Sequence, residues 1–94
     1  MRGVRCGVMF EVILSPEAEH FFAAADAPLA KKLARCFIQL EEDPRRHANI
    51  KQLTGDLKGF RRYRVGDWRV IYSIDSVRNQ VSVLAIAHRR EVYD

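Results

Sequence analysis

Residues 58–74, KGFRRYRVGDWRVIYSI, hold the pattern that decides the fold. Successive side chains of a strand point to opposite faces, so Arg62 and Arg64 share one face while Tyr63 and Val65 share the other. A two-residue hairpin loop at Gly66-Asp67 sets Val65 opposite Trp68, Arg64 opposite Arg69 and Arg62 opposite Ile71. Cross-strand partners lie on the same side of a sheet. One face then reads Tyr63, Val65, Trp68, Val70, Tyr72, Ile74, which is a core face, and the other gathers Arg62, Arg64 and Arg69. Arg64 and Arg69 would stand ~5 Å apart at Cβ, and like charges directly opposite are destabilising. A phosphate between them reverses the sign, because guanidinium binds phosphate through paired hydrogen bonds. The competing reading is that these arginines splay into solvent or pair with Asp67 and Glu91.

Upstream, Met9–Leu14 (MFEVIL) reads as a first strand, closed by Ser15-Pro16-Glu17. Serine caps free N–H groups, proline suits the first helical position, and glutamate complements the helix dipole. Ala18, Phe21, Phe22 and Ala25 follow at helical spacing. A second start at Asp26-Ala27-Pro28 opens a longer helix whose apolar stripe is Leu29, Leu33, Cys36, Phe37 and Leu40, stopped at Asp43-Pro44. Residues 44–59 read as irregular. Phe60–Val65, Trp68–Ile74 and Val81–Ala87 read as strands. The order β-α-α-β-β-β predicts an α+β domain: an N-terminal strand, an antiparallel helical hairpin, then a three-stranded antiparallel meander, with both helices on one face of an antiparallel sheet. The Trp68/Val70/Tyr72/Ile74 face is expected to pack on Phe21, Leu33, Phe37 and Leu40.

Ninety-four residues make one domain, and 48% hydrophobic content excludes the disordered class. No apolar run reaches the ~18–20 residues of a transmembrane helix. Arg2 and Arg5 precede an apolar stretch, but Glu11 interrupts it and no small-residue cleavage site follows, so a cytoplasmic protein is expected. Cys6 and Cys36 are the only cysteines, with no zinc-like spacing, and Cys36 falls on the apolar side of the second helix. The net charge of +4 is segregated. Residues 1–43 carry five basic against seven acidic side chains, whereas residues 44–94 carry eleven against five, which suits a polyanionic partner. His88-Arg89-Arg90-Glu91-Val92-Tyr93 adds imidazole, guanidinium and phenol after the last strand.

Three stretches, FEVILSPEAE, GDLKGFRRYRVGDWRVIYSID and HRREVYD, resemble the RelE-type toxins of the RelE/ParE toxin–antitoxin superfamily. The resemblance runs over residues 9–94 and leaves residues 1–8 as an N-terminal extension. It implies a metal-independent endoribonuclease, an mRNA interferase that needs no cofactor. Such a toxin enters the A site of the 70S ribosome and cuts mRNA there by 2′-OH attack on the adjacent phosphorus. It also implies a RelB-like antitoxin from the adjacent gene, and no membrane partner. By match to the family pattern, Arg62, Arg69, Arg89 and Tyr93 carry catalysis. Arg69 and Arg89 suit charge stabilisation, since guanidinium is a poor proton donor. Tyr93 either stacks on a base or relays a proton, and His88 is the better general acid by its intrinsic pKa. Phe60 stands where some relatives use a lysine, with Lys51 or Lys58 as substitutes, so the general base stays open. Lys51, Lys58, Arg61, Arg64 and Arg90 are the expected RNA-binding residues. Two alternatives remain: a ParE-like inhibitor of DNA gyrase, and a non-catalytic RNA- or protein-binding module of the same fold.

Overall fold

The Ser15 hydroxyl fixes how the first strand hands over to the first helix. It accepts from Ala18 N–H at 3.0 Å, capping the helix, and donates to the Leu84 carbonyl at 2.7 Å, tying that cap to the last strand. In the computed structural model, which describes residues 9–92, strand β1 (Glu11–Leu14) leads into α1 (Pro16–Ala24) and α2 (Ala27–Glu42). The Asp26 carboxylate caps α2 through Leu29 N–H at 3.0 Å. Beyond α2, the Asp43 carboxylate accepts from Arg45 N–H and Arg46 N–H, a local turn that ends the helix before the sheet begins. Four strands follow: β2 (Ile50–Gln52), β3 (Arg61–Val65), β4 (Trp68–Asp75) and β5 (Gln80–His88). The extension at residues 1–8 and the residue Tyr93 lie outside the described residues.

The α+β architecture is as expected, with two differences in the sheet. It has five strands in the order β1-β5-β4-β3-β2, because Ile50–Gln52 pairs with Arg61–Tyr63 inside a segment read as irregular. Three residues with two polar members give no usable period of their own, and the pairing comes from β3. The sheet is also mixed rather than antiparallel throughout, since β1 runs parallel to β5. The helical pair and three antiparallel turns of the chain return β5 to the direction of β1.

The hairpin register matches the sequence reading pair for pair: Val65↔Trp68, Arg64↔Arg69 and Arg62↔Ile71. Gly66 takes φ +61°, the left-handed value that the first position of a primed two-residue turn requires. Trp68, Val70, Tyr72 and Ile74 join one core with Phe21, Leu33, Phe37 and Leu40. Phe21 packs on Trp68 at 4.9 Å, and Phe22 meets Phe37 edge-on at 5.3 Å. Tyr72 is fully buried and satisfies its hydroxyl by donating to the Pro44 carbonyl at 2.7 Å.

A bulge in β5 decides what its end presents. Ile71 pairs with Ala85 and Tyr72 with Val83, so Leu84 is the extra residue. Before it, Val81 and Val83 face the helices. After it the phase flips, so Ile86 enters the core and Ala85 and Ala87 turn to the open side. The open side is not bare, because Leu53, Ile71 and Val92 form a small second core there with Leu57, Phe60 and Ala87.

Candidate nucleic-acid interface

Strand alternation and hairpin pairing together place four cations on the face of the sheet away from the helices. Lys51 pairs with Arg62 and Arg64 with Arg69, so these four side chains share that face. Ala87 is the other neighbour of Arg69, and its small side chain leaves the guanidinium room. Arg62 is anchored, its Nη1 donating to the Asn49 carbonyl at 2.5 Å. The same carbonyl accepts from Arg64 N–H at 3.0 Å, holding the loop before β2 against β3.

The crowding of Arg64 and Arg69 is eased within the hairpin. Arg69 bends over the turn, where Nη1 donates to the carbonyls of Gly66 and Trp68, each at 3.0 Å. Among the described residues its buried Nε finds no acceptor, a cost of about 1–3 kcal/mol for a donor that loses water and gains nothing. Arg89 attaches to the same turn: its N–H donates to the Asp67 carbonyl at 2.8 Å and its Nε stands 3.7 Å from the Asp67 carboxylate. That pair is largely exposed, so it orients Arg89 more than it stabilises the fold. The Gly66-Asp67 turn thus anchors both guanidinium-bearing residues, Arg69 through the Gly66 carbonyl and Arg89 through Asp67. Asp67, seen in the sequence only as a turn residue and a charge partner, is what holds Arg89 there.

The other expected residues separate. His88 pairs with Trp68 and meets its ring edge-on at 5.2 Å, on the helical side of the sheet and away from Arg62 and Arg69. Strict alternation from Val81 would have sent His88 to the arginine face, and the bulge at Leu84 turns it back. Its Nδ1 accepts from Arg90 N–H at 3.3 Å while Glu91 Oε1 accepts from His88 N–H at 3.2 Å. His88 is therefore the cap of the short turn Arg89–Glu91, with its ring committed to that turn. Arg90 is exposed in the turn. Arg61 pairs with Tyr72 and faces the helical side. Lys58 is exposed at the rim of an open cavity of about 620 Å³, lined also by Phe60 and Arg61. Of the two substitute lysines, Lys51 is placed in the arginine group by its pairing with Arg62. Among the described residues no group of three or more His, Cys, Asp or Glu side chains is arranged to hold a metal ion. Among the described residues no helix is long and apolar enough to cross a membrane.

Two helices on one face of a five-stranded sheet, with cations on the other, make a small basic α+β domain. The sequence model of the ParE toxins of type II toxin–antitoxin systems, parDE, matches residues 12–93, and the chain belongs to that family. Toxin RelE of Mycobacterium tuberculosis (strain ATCC 25618 / H37Rv) is 40% identical over 47 residues, which cover 50% of this chain. The match spans about half the length of that relative, 48%. Two solved structures share the fold. The toxin–antitoxin complex RelBE2 of Mycobacterium tuberculosis superposes with a TM-score of 0.76 at 24% identity, over 87% of this chain and 93% of that one. The archaeal RelE–RelB complex of Pyrococcus horikoshii OT3 gives 0.76 at 20% identity, over 90% of this chain and 100% of that one.

Proposed function

We propose that this toxin is an endoribonuclease of the RelE kind, which cleaves mRNA in the ribosomal A site and so arrests translation. The observation that carries the reading is the group Lys51, Arg62, Arg64 and Arg69 on the open face, with Arg89 tied by Asp67 to the turn that joins β3 and β4. Like charges are gathered at a cost to the fold, and a phosphodiester is the ligand that repays it.

The chemistry asks for three things. A base takes the 2′-OH proton, O2′ attacks the adjacent phosphorus, and the P–O5′ bond breaks as O5′ gains a proton. The products are a 2′,3′-cyclic phosphate and a free 5′-hydroxyl. Arg62, Arg69 and Arg89 fit the task of stabilising charge on the pentacoordinate phosphorus, since they stay protonated throughout. Release of Arg69 from its turn carbonyls toward a phosphate would also give its Nε an acceptor. Proton transfer falls to Lys51 and Tyr93 in this reading, because the ring of His88 lies across the sheet. The route uses no metal.

Complexes with RelB-type antitoxins among the structural relatives support a cognate antitoxin here, one whose acidic segments cover the open face. The family assignment favours a second reading, inhibition of DNA gyrase in the manner of a ParE toxin. One experiment separates them: expression of the chain followed by mapping of mRNA 5′ ends and assay of supercoiling. Cuts within translated codons, with supercoiling intact, are the expected result. Intact mRNA with stalled supercoiling would replace the first reading with the second.

A further inference from the structure

A second group of cations lies round the corner from the first. Between α2 and the end of β3 is a cleft of about 240 Å³ lined by Lys32, Arg35, Cys36, Asn49, Tyr63, Arg64, Val65 and Gly66. None of these is acidic. Lys32 and Arg35 stand one turn apart on α2, flanking the buried Leu33 and Cys36, and both are exposed. Neither they nor Arg64 make an ion pair among the described residues. Asp26 and Asp67, which line the adjoining cavity with Lys32, are engaged elsewhere: Asp26 caps α2 and Asp67 faces Arg89.

The sheet is open where it matters. Strand β2 pairs with Arg61–Tyr63 and the Asn49 carbonyl accepts from Arg64 N–H, so among the described residues it is beyond Arg64 that the edge of β3 has no pairing strand. Arg64 belongs to both places, since it pairs with Arg69 on the open face and lines this cleft. The floor of Cys36, Tyr63 and Val65 is apolar and buried, which suits a sugar more than a second charge.

We propose that this cleft is a second RNA phosphate site, in which Lys32, Arg35 and Arg64 bind the backbone of a nucleotide flanking the one cleaved. The strand then passes from the open face, round the free end of β3, onto the helical side. The inference rests on the RNA reading above and adds to it where a neighbouring phosphate goes.

The test is binding of a labelled single-stranded RNA oligonucleotide of mixed sequence across a salt series. The wild-type chain is compared with Lys32→Ala/Arg35→Ala and with Lys31→Ala/Arg78→Ala, which removes the same charge elsewhere. Each phosphate contact on a single strand contributes about 0.7 to the slope of log K against log salt, so the first variant should lose roughly 1.4. The second should keep the wild-type slope. Equal slopes in the first variant and the wild type, or an equal loss in both variants, would overturn the site. So would a wild-type chain that does not bind the oligonucleotide at low salt. Cleavage of translated mRNA is read separately, so the second site can fail while the proposed activity stands.

Discussion

The two faces of one sheet use the same alternation for opposite ends. On the helical side of β3, Tyr63 and Val65 are 8% and 7% exposed and sit in a continuous core. On the other side the intervening positions are Arg62 and Arg64, opposite Ile71 and Arg69. The first face removes apolar area from water, at roughly 25 cal/mol per Å². The second sets like charges side by side and leaves one guanidinium nitrogen unsatisfied. A period of two makes this possible, since neighbouring residues never compete for the same environment. Stability comes from one set of residues and the proposed binding surface from the other, so mutations should sort by face.

The largest effects on folding belong to the helical side. Leu33 and Leu40 are wholly buried, and Leu33→Ala or Leu40→Ala should cost about 2–5 kcal/mol, read as a lower urea midpoint. Phe37→Ala should cost about 3 kcal/mol, near the low end for a large aromatic, because the ring is only half-buried. A midpoint unchanged by any of the three would break the division. Next comes Ser15, whose hydroxyl both caps α1 and holds the bulge at Leu84. Ser15→Ala should cost about 1–2 kcal/mol, and a loss below that of an ordinary cap would remove the bulge tie from the account.

On the open face the sign reverses. Arg64→Thr relieves the cross-strand repulsion and supplies a good strand residue, so stability should rise by about 0.2–1 kcal/mol. That gain should shrink as salt is added, because screening already relieves the wild type. A loss of stability, or a gain indifferent to salt, would show that Arg64 and Arg69 do not repel.

The smallest effect concerns Cys36, whose thiol is pushed up to about 12 by burial. Cys36 should resist thiol alkylation at mildly alkaline pH in the folded protein and react once unfolded, read site by site because Cys6 is a second thiol. The thiol's contribution to stability should be full below 9.0 and decline as pH rises from there toward 12, because only the unfolded chain ionises in that window. Fast alkylation of Cys36 in the folded chain would contradict its burial.

What the sequence revealed followed where local chemistry is decisive. Gly66-Asp67 admits a two-residue loop, and that loop sets the pairing of Arg62, Arg64 and Arg69 without further information. The helix starts were equally plain, because Ser15-Pro16 and Asp26-Ala27-Pro28 carry their caps with them. Strand β2 was illegible, since Ile50–Gln52 is strand only because β3 lies beside it. The side of His88 was hidden for a related reason. Residues 81–87, VSVLAIA, alternate equally well with or without a bulge at Leu84, and the Leu84 carbonyl is met by the hydroxyl of Ser15, distant in sequence. Asp67 as the holder of Arg89, and the cleft beside Lys32 and Arg35, depend on contacts between elements that no spacing encodes.

The central claim is that the open arginine face is where RNA is cut. It is tested most directly by the rate of cleavage of translated mRNA in a reconstituted system with Arg69→Ala and Arg89→Ala toxins, each checked for an unfolding midpoint close to that of the wild type. Each substitution removes a preorganised cation and should slow cleavage by ~10²–10³. A folded Arg69→Ala/Arg89→Ala double variant that cuts mRNA at the wild-type rate would contradict the claim.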